Sequence, residues 1–420
     1  MLIVLRNSWP LLLGMMLLML GNGLQGTLLG IRGAIEGYDA ATMSLVMSGY
    51  FVGFLLGSRR APIMIRQVGH VRVFAALASM ISAAFVLYAA APDPWIWVGM
   101  RVIVGFCFAG VYVVAESWLN DAATNETRGQ ALSLYMIVQM VGIIASQGIL
   151  TLGDPSGYGL FIVMSVLVSV SFTPILLTAG TAPAFQTTKP MTLVQLFNTS
   201  PLGCVGTFLL GGVFAGIFGM SSVFGTEKGL SVVQISAFVA AIYTGGLLAQ
   251  YPIGWASDRM DRRKLIFGLT AGGSVVTLAG MAVSELYIVL LAIGFLIGSV
   301  ANPLYSLLIA YTNDFLEPSD MAAASGGLLF INGLGAMTGP LLIGALMTRF
   351  GADAFFAYLA AMFTLISFYA LYRMTRRRAP SVDQTSRYQP VLPQATPVAL
   401  EVAQEVAIEK AAGEPAQTTA

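Results

Sequence analysis

The chain is written as apolar blocks of about twenty residues separated by short polar or charged punctuation. About twenty residues is what a helix needs to cross roughly 30 Å of hydrocarbon. The blocks predict spans at 9–31, 42–60, 71–91, 95–118, 129–152 and 158–179. After a stretch at 181–199 that holds Pro183 and Pro190, six more follow at 202–225, 232–256, 265–283, 286–311, 322–347 and 354–374. The first block is too long for a secretion signal, carries Asn22 and Gln25, and lacks a small-residue cleavage pattern, so it reads as a span. From Ala379 the chain turns to Pro, Gln, Thr, Glu and Ala without a periodic apolar face. The expected fold is an all-α integral membrane protein with two pseudo-symmetric six-helix bundles, 1–180 and 200–376. The linker 181–199 joins them, and a disordered tail, 377–420, follows.

Charge orients this layout. Only 10% of the residues are charged, against roughly 25% in soluble domains, and the mean hydropathy is +0.80. Fifteen Lys and Arg residues, from Arg6 to Arg378, fall on the side that carries both termini, whereas Arg32, Lys228 and Arg349 fall on the other. That asymmetry predicts a bacterial inner-membrane protein with both termini in the cytoplasm. Trp9, Trp118 and Trp255 at inner helix ends, and Trp95 and Trp97 at an outer end, read as interfacial anchors.

Several function classes fall away. The net charge is +1 with no long basic face, so nucleic acid is not an expected partner. No Ser-His-Asp set, metal cluster or phosphate-binding loop is present, which argues against an enzyme, a cofactor and a metal site. His70 reads as a solvated loop residue, and Cys107 and Cys204 as packing residues. Gly21-Asn-Gly23-Leu-Gln-Gly26 has the spacing of a dinucleotide fingerprint but lies in mid-membrane, where glycines permit close helix approach or local unwinding instead. The expected partners are the lipid bilayer and a small-molecule solute, in a monomer.

An internal repeat supports transport. Tyr112, Asn120, Asp121 and Gly142 align without a gap on Tyr305, Asn313, Asp314 and Gly335, making predicted spans 4–5 and 10–11 copies of one another. Repeated halves place a solute site near the midplane between them. Polar side chains inside a span are costly, tend to face the bundle interior and are candidates for that site. They are Asn22, Gln25 and Arg32 on span 1, Arg101 and Tyr112 on span 4, Tyr135 and Gln139 on span 5, Tyr243 on span 8, Asn302 on span 10 and Asn332 on span 11. Arg101, the one unambiguous charge within a span, is read either as a ligand for an electronegative part of the solute or as a tie between carbonyls. Glu116 lies fifteen residues further on, about 22 Å along a helix, too far to pair with it. Charges at the inner helix ends, Glu116, Arg128, Asp258, Arg259 and Arg262, suit a gate whose ion pairs form in one conformation and break in the other.

Gly254-Trp-Ala-Ser-Asp258-Arg259-Met-Asp261-Arg262-Arg263-Lys264 resembles the G-x-x-x-D-R-x-G-R-R/K loop of the major facilitator superfamily, with Asp261 in place of the second glycine. The equivalent loop in the first half, from Pro62 to Arg72, keeps Gly69 but lacks the aspartate. Arg101-x-x-x-Gly105, and Glu116 with Arg128-Gly129, resemble further motifs of that superfamily, and A-E-S-W-L-N followed by R-G-Q-A-L-S-L-Y-M is most similar to its YcaD-like bacterial members. The resemblance implies a twelve-helix transporter working by alternating access. Span 5 has no proline between Gly142 and Gln147, a departure from the superfamily's antiporter motif that weakens a drug-antiporter assignment. The amide- and aromatic-rich candidate set with one arginine suits a planar polar solute, neutral or weakly anionic. Vitamins, nucleoside-like compounds and sugars fit, and riboflavin uptake is the expectation chosen. Efflux of amphipathic compounds is the alternative, and a transporter-like receptor or scaffold the alternative of another class. A coupling proton has Glu116 as its one carrier; a uniporter is equally consistent.

Overall fold

The computed structural model describes residues 2–124, 127–174, 191–376 and 385–413, and helices are the only regular secondary structure among them. The first half comprises α1 (Leu2–Ile35), α2 (Ala40–Val68), α3 (His70–Ala90), α4 (Pro94–Ala122), α5 (Arg128–Leu150) and α6 (Gly159–Ser171). A short helix in the linker, α7 (Leu193–Thr199), precedes the second half. That half comprises α8 (Pro201–Glu227), α9 (Val232–Ser257), α10 (Arg262–Val283), α11 (Tyr287–Asn313), α12 (Pro318–Phe350) and α13 (Ala354–Arg376). A last helix, α14, runs from Pro397 to Gly413. Eleven of these helices are long and apolar enough to cross a membrane, and α6 is a shorter apolar helix of 13 residues. Residues 175–179 of the predicted sixth span, 181–190 of the predicted linker, and Arg377 and Arg378 lie outside the described residues.

Local chemistry sets the helix ends. Asp39 and Asp93 accept backbone N–H groups at the starts of α2 and α4, and a reciprocal Ser231–Gln234 capping box opens α9. Pro10, Pro62, Pro252, Pro303 and Pro340 sit within helices, which membrane helices tolerate where neighbours satisfy the freed carbonyls. α8 contains a π-helical turn at Gly216–Met220; such turns are frequent at functional sites. Large apolar side chains stay exposed around the bundle, among them Leu56, Val166, Val275 and Phe368. In water these would be a liability, but against lipid they are the expected outer surface.

Within each half α2 packs on α4, α1 on α5, α8 on α12, and α9 on α11. Across the halves, α2 meets α12, α5 meets α9, and α1 meets the far end of α8. On the face opposite the termini this contact is direct. A Cβ on Gly344 of α12 would stand 2.4 Å from Ser44 Cβ of α2, and one on Gly30 of α1 would stand 2.8 Å from Ser222 Cβ of α8. The glycine-for-close-approach reading of α1 holds too, since a Cβ on Gly23 would come within 2.9 Å of Ile143 Cα.

Three expectations need correction. Trp97 is fully buried and donates through Nε1 to the Tyr88 carbonyl at 3.1 Å, so it is a core residue and not an interfacial anchor. His70 is the first residue of α3, buried against the Trp118 ring rather than solvated. The tail is ordered over residues 385–413, with Tyr388, Val391, Leu392 and Leu400 buried and α14 packed against α4, α5 and α12. The physical reason is that its scattered apolar residues, too few to form a core of their own, enter one already built by both halves.

Candidate functional site

α1, α2 and α4 bring polar groups toward the plane between the halves. Arg101 is fully buried. Its Nη1 donates to Gln25 Oε1 at 3.1 Å, its Nη2 points at Met47 Sδ at 3.3 Å, and its guanidinium lies 5.0 Å from the Tyr50 ring centroid. Asn22 Nδ2 donates to the Tyr112 hydroxyl at 3.3 Å. Tyr50 stands against Phe108 of α4 and against Phe218 in the π-helical turn of α8, so this cluster reaches the opposite half. Among the described residues no carboxylate pairs with Arg101, and its Nε meets no partner; nor do Tyr243 Oη or Asn302 Oδ1. Buried polar groups are ordinarily paired, and unpaired ones such as these make the region a candidate for binding.

Beside this cluster a recess is lined by Tyr50, Phe51 and Phe54 of α2, Phe214 of α8, and Leu329, Asn332 and Ala336 of α12. Pro393 and Gln394 of the C-terminal segment also line it. Asn332 also donates to the Thr207 carbonyl at 3.2 Å. A second recess holds Tyr135 and Gln139 of α5, faced by Pro390, Leu392 and Ala399.

Toward the arginine-rich face lies a cluster of charges. Arg262 Nη1 donates to Asp314 Oδ1 at 2.5 Å and to the Ala310 carbonyl at 3.1 Å, and its Nη2 is 3.5 Å from Asp258 Oδ1. Ser386 completes the group through its carbonyl, which accepts from Arg262, and its backbone N–H, which donates to Asp314 at 3.0 Å. Burial pushes the Asp314 carboxyl above its ordinary range, against the pull of Arg262. Asp261 is lowered: burial would raise it, but hydrogen bonds from the Arg263 side chain and backbone prevail. Across the crevice, Glu116 accepts the Thr396 N–H at 3.1 Å, the Ala399 N–H at 3.2 Å and the Thr396 hydroxyl. Arg128 Nη1 donates to Glu405 Oε2 at 2.6 Å.

A profile described as Major Facilitator Superfamily matches residues 11–246 and 203–408. The chain belongs to the major facilitator superfamily. An uncharacterized MFS-type transporter of Yersinia pestis (strain Pestoides F) is 26% identical over 379 residues, which is 89% of this chain and 96% of that one. The uncharacterized MFS-type transporter YcaD of Escherichia fergusonii is 26% identical over 364 residues, 85% and 93% of the two chains. Among solved structures, the nucleoside transporter NupG superposes with a TM-score of 0.72 at 14% identity, covering 89% of this chain and all of that one. A bacterial homologue of the lysosomal transporter Spinster, inward-facing and occupied, gives 0.73 at 14%, covering 92% and 99%. Both structural likenesses bear on the fold, which is that of a superfamily transporter.

Within this superfamily frame, Asn22, Gln25, Arg101 and Tyr112 form one connected cluster, Tyr135 and Gln139 line one recess and Asn332 another. Tyr243 and Asn302 are buried in the second half. Arg32 is not with them. It bonds Glu36 at 2.7 Å and the carbonyls of Pro155 and Ser156 at the face opposite the termini. Arg259 is exposed, stacked 4.5 Å from the Trp255 centroid and apart from the Arg262 cluster. Glu116 and Arg128 bond the C-terminal segment and not each other. Asp314 is absent from the expected gate although the repeat that pairs it with Asp121 points to it. Ser386, Tyr388, Thr396 and Gln404 carry no sequence signal of a site.

Proposed function

We propose that this transporter passes a small planar polar solute, neutral or weakly anionic, between its halves by alternating access. It works as a monomer in a bacterial inner membrane, with the arginine-rich face in the cytoplasm. The observation that carries this reading is the buried Arg101, held by an amide and an aromatic face instead of a carboxylate, with its Nε unpaired among the described residues. A buried guanidinium without a counter-ion favours a ligand that brings electron-rich oxygen or nitrogen, and the aromatic ring of Tyr50, Phe51, Phe54 and Phe214 favours a flat one. Riboflavin, the expectation from sequence, is one member of this class, but the names of the relatives given above do not point to it. Nucleosides, named for NupG, share the same chemistry and enter the panel first.

The experiment is uptake of labelled nucleosides and riboflavin by cells lacking their own carriers, with Arg101→Ala as control. Saturable uptake lost in the variant at equal membrane abundance supports the reading. Equal uptake by both proteins overturns the role of Arg101. A coupling proton, if one is used, involves Glu116, and in Glu116→Gln uptake then no longer follows the proton gradient.

A further inference from the structure

The C-terminal segment is bound as a ligand is bound. Its backbone and side chains are read at successive points along a crevice formed by both halves. Ser386 sits on Arg262 and Asp314, and the Tyr388 N–H donates to Asp258 at 2.8 Å. The Tyr388 hydroxyl donates to Gln250 Oε1 at 2.6 Å, and the Val391 N–H donates to Ser306 Oγ at 2.9 Å, with Ser306 donating back to the Val391 carbonyl. Glu116 then receives the amino end of α14, where unpaired N–H groups and the helix dipole favour a carboxylate. Beyond it Asn313 donates to Gln404 at 2.6 Å, and Gln404 donates to Ser325 at 3.1 Å.

We propose that residues 385–413 are a tethered plug, and that the crevice on the arginine-rich face is a binding site for this chain's own C-terminal segment. The proposal rests on the transporter reading, since a plug needs a path to block. Two observations give it a mechanism. First, Pro393 and Gln394 line the same recess as Tyr50 and Asn332, so the turn before α14 stands in the path between the halves. Second, Glu116, Arg128, Asp258 and Arg262, four of the five charges expected to form the gate, each bond the segment. The halves cannot close on this face while a helix and the irregular segment before it lie between them. Alternating access needs that closure, so each turnover requires the segment to leave and lets it return. The plug therefore holds the protein in the state open to this face, and its release sets the rate.

The test reads the plug without knowledge of the solute. A single cysteine at Ser306→Cys, in a chain with Cys107→Ala and Cys204→Ala, is covered by Val391 while the segment is docked. Leu400→Asp places a carboxylate at a fully buried position of the segment without touching the twelve-helix body. Labelling by a membrane-permeant maleimide is expected to rise on the order of tenfold or more in Leu400→Asp and in a chain ending at Arg376, and to stay slow in Leu400→Ile. Unchanged labelling in both release variants overturns the proposal. So does faster labelling with no gain in transport of whichever solute the uptake panel identifies. Failure of the panel alone bears on the solute and leaves the labelling result standing.

Discussion

Glu116 and Ala399 lie 283 residues apart in sequence and 3.2 Å apart in space, carboxylate to backbone N–H. The acid that sequence reasoning pairs with Arg128 is thus the cap of a helix at the other end of the chain. Replacing it with alanine leaves the first turn of α14 without its acceptor, a loss of about 0.5–2 kcal/mol for a capping side chain. Amide hydrogen exchange over 397–407 is expected to speed up by about two- to thirtyfold, with α1–α13 unchanged. Exchange at the full-chain rate would show that Glu116 does not hold the segment.

Arg101 is the most informative position in the central cluster. Truncation to alanine removes the charge and strands Gln25, so solute affinity is expected to fall by about 1.5–3 kcal/mol, roughly ten- to 150-fold. Arg101→Lys keeps the charge but not the planar fork and is expected to recover only part of it. Solute-induced shifts in melting temperature in detergent measure both.

The Arg262–Asp314 pair is almost fully buried, with side chains 1% and 3% exposed. Arg262→Gln strands an acid whose carboxyl burial already pushes upward, and about 3–5 kcal/mol of stability is expected to be lost near neutral pH. Because the folded-state value lies above the unfolded one, protonation favours the fold. The loss is therefore expected to shrink as pH falls through the range of Asp314, and to return as pH rises. Adding Asp314→Asn to the variant is expected to recover part of the loss at neutral pH, which thermal melts of the single and double variants would read.

Gly344 sets the contact on the face opposite the termini. Gly344→Val pushes methyl groups into Ser44 Cβ and the Ala40 carbonyl, which a hydrogen side chain clears. Separation of α2 from α12 on that face is expected, so a cysteine at Ser222, buried in the parent, becomes labelled from outside at least several times faster. If Ser222→Cys stays protected, the glycine is a local packing choice and not a hinge for the halves.

The spans and much of the central cluster were legible because polarity inside an apolar block has few places to go. Asn22, Gln25, Arg101 and Tyr112 turn inward since lipid would leave them unsatisfied. Arg32 fails the same argument because shared helical face says nothing of depth; ten residues along α1 it has left the core for the loop carbonyls of Pro155 and Ser156. Arg259 and Arg262 share a motif, but only Arg262 faces Asp314 once α10 begins. The C-terminal segment was illegible for another reason. Tyr388, Val391, Leu392 and Leu400 show no period and are interrupted by prolines, and their burial depends on a crevice whose walls are written far away in α4, α5, α9, α11 and α12.

A competitor carried on the same chain behaves unlike any free inhibitor. Its local concentration near the crevice is set by the length of chain between α13 and residue 385, in the millimolar range for short flexible tethers, and does not change with expression level or dilution. On the plug proposal, a solute entering from the arginine-rich face must outcompete a constant opponent, which raises the concentration needed for half-maximal transport by a fixed factor set by residues 385–413 rather than by the pathway.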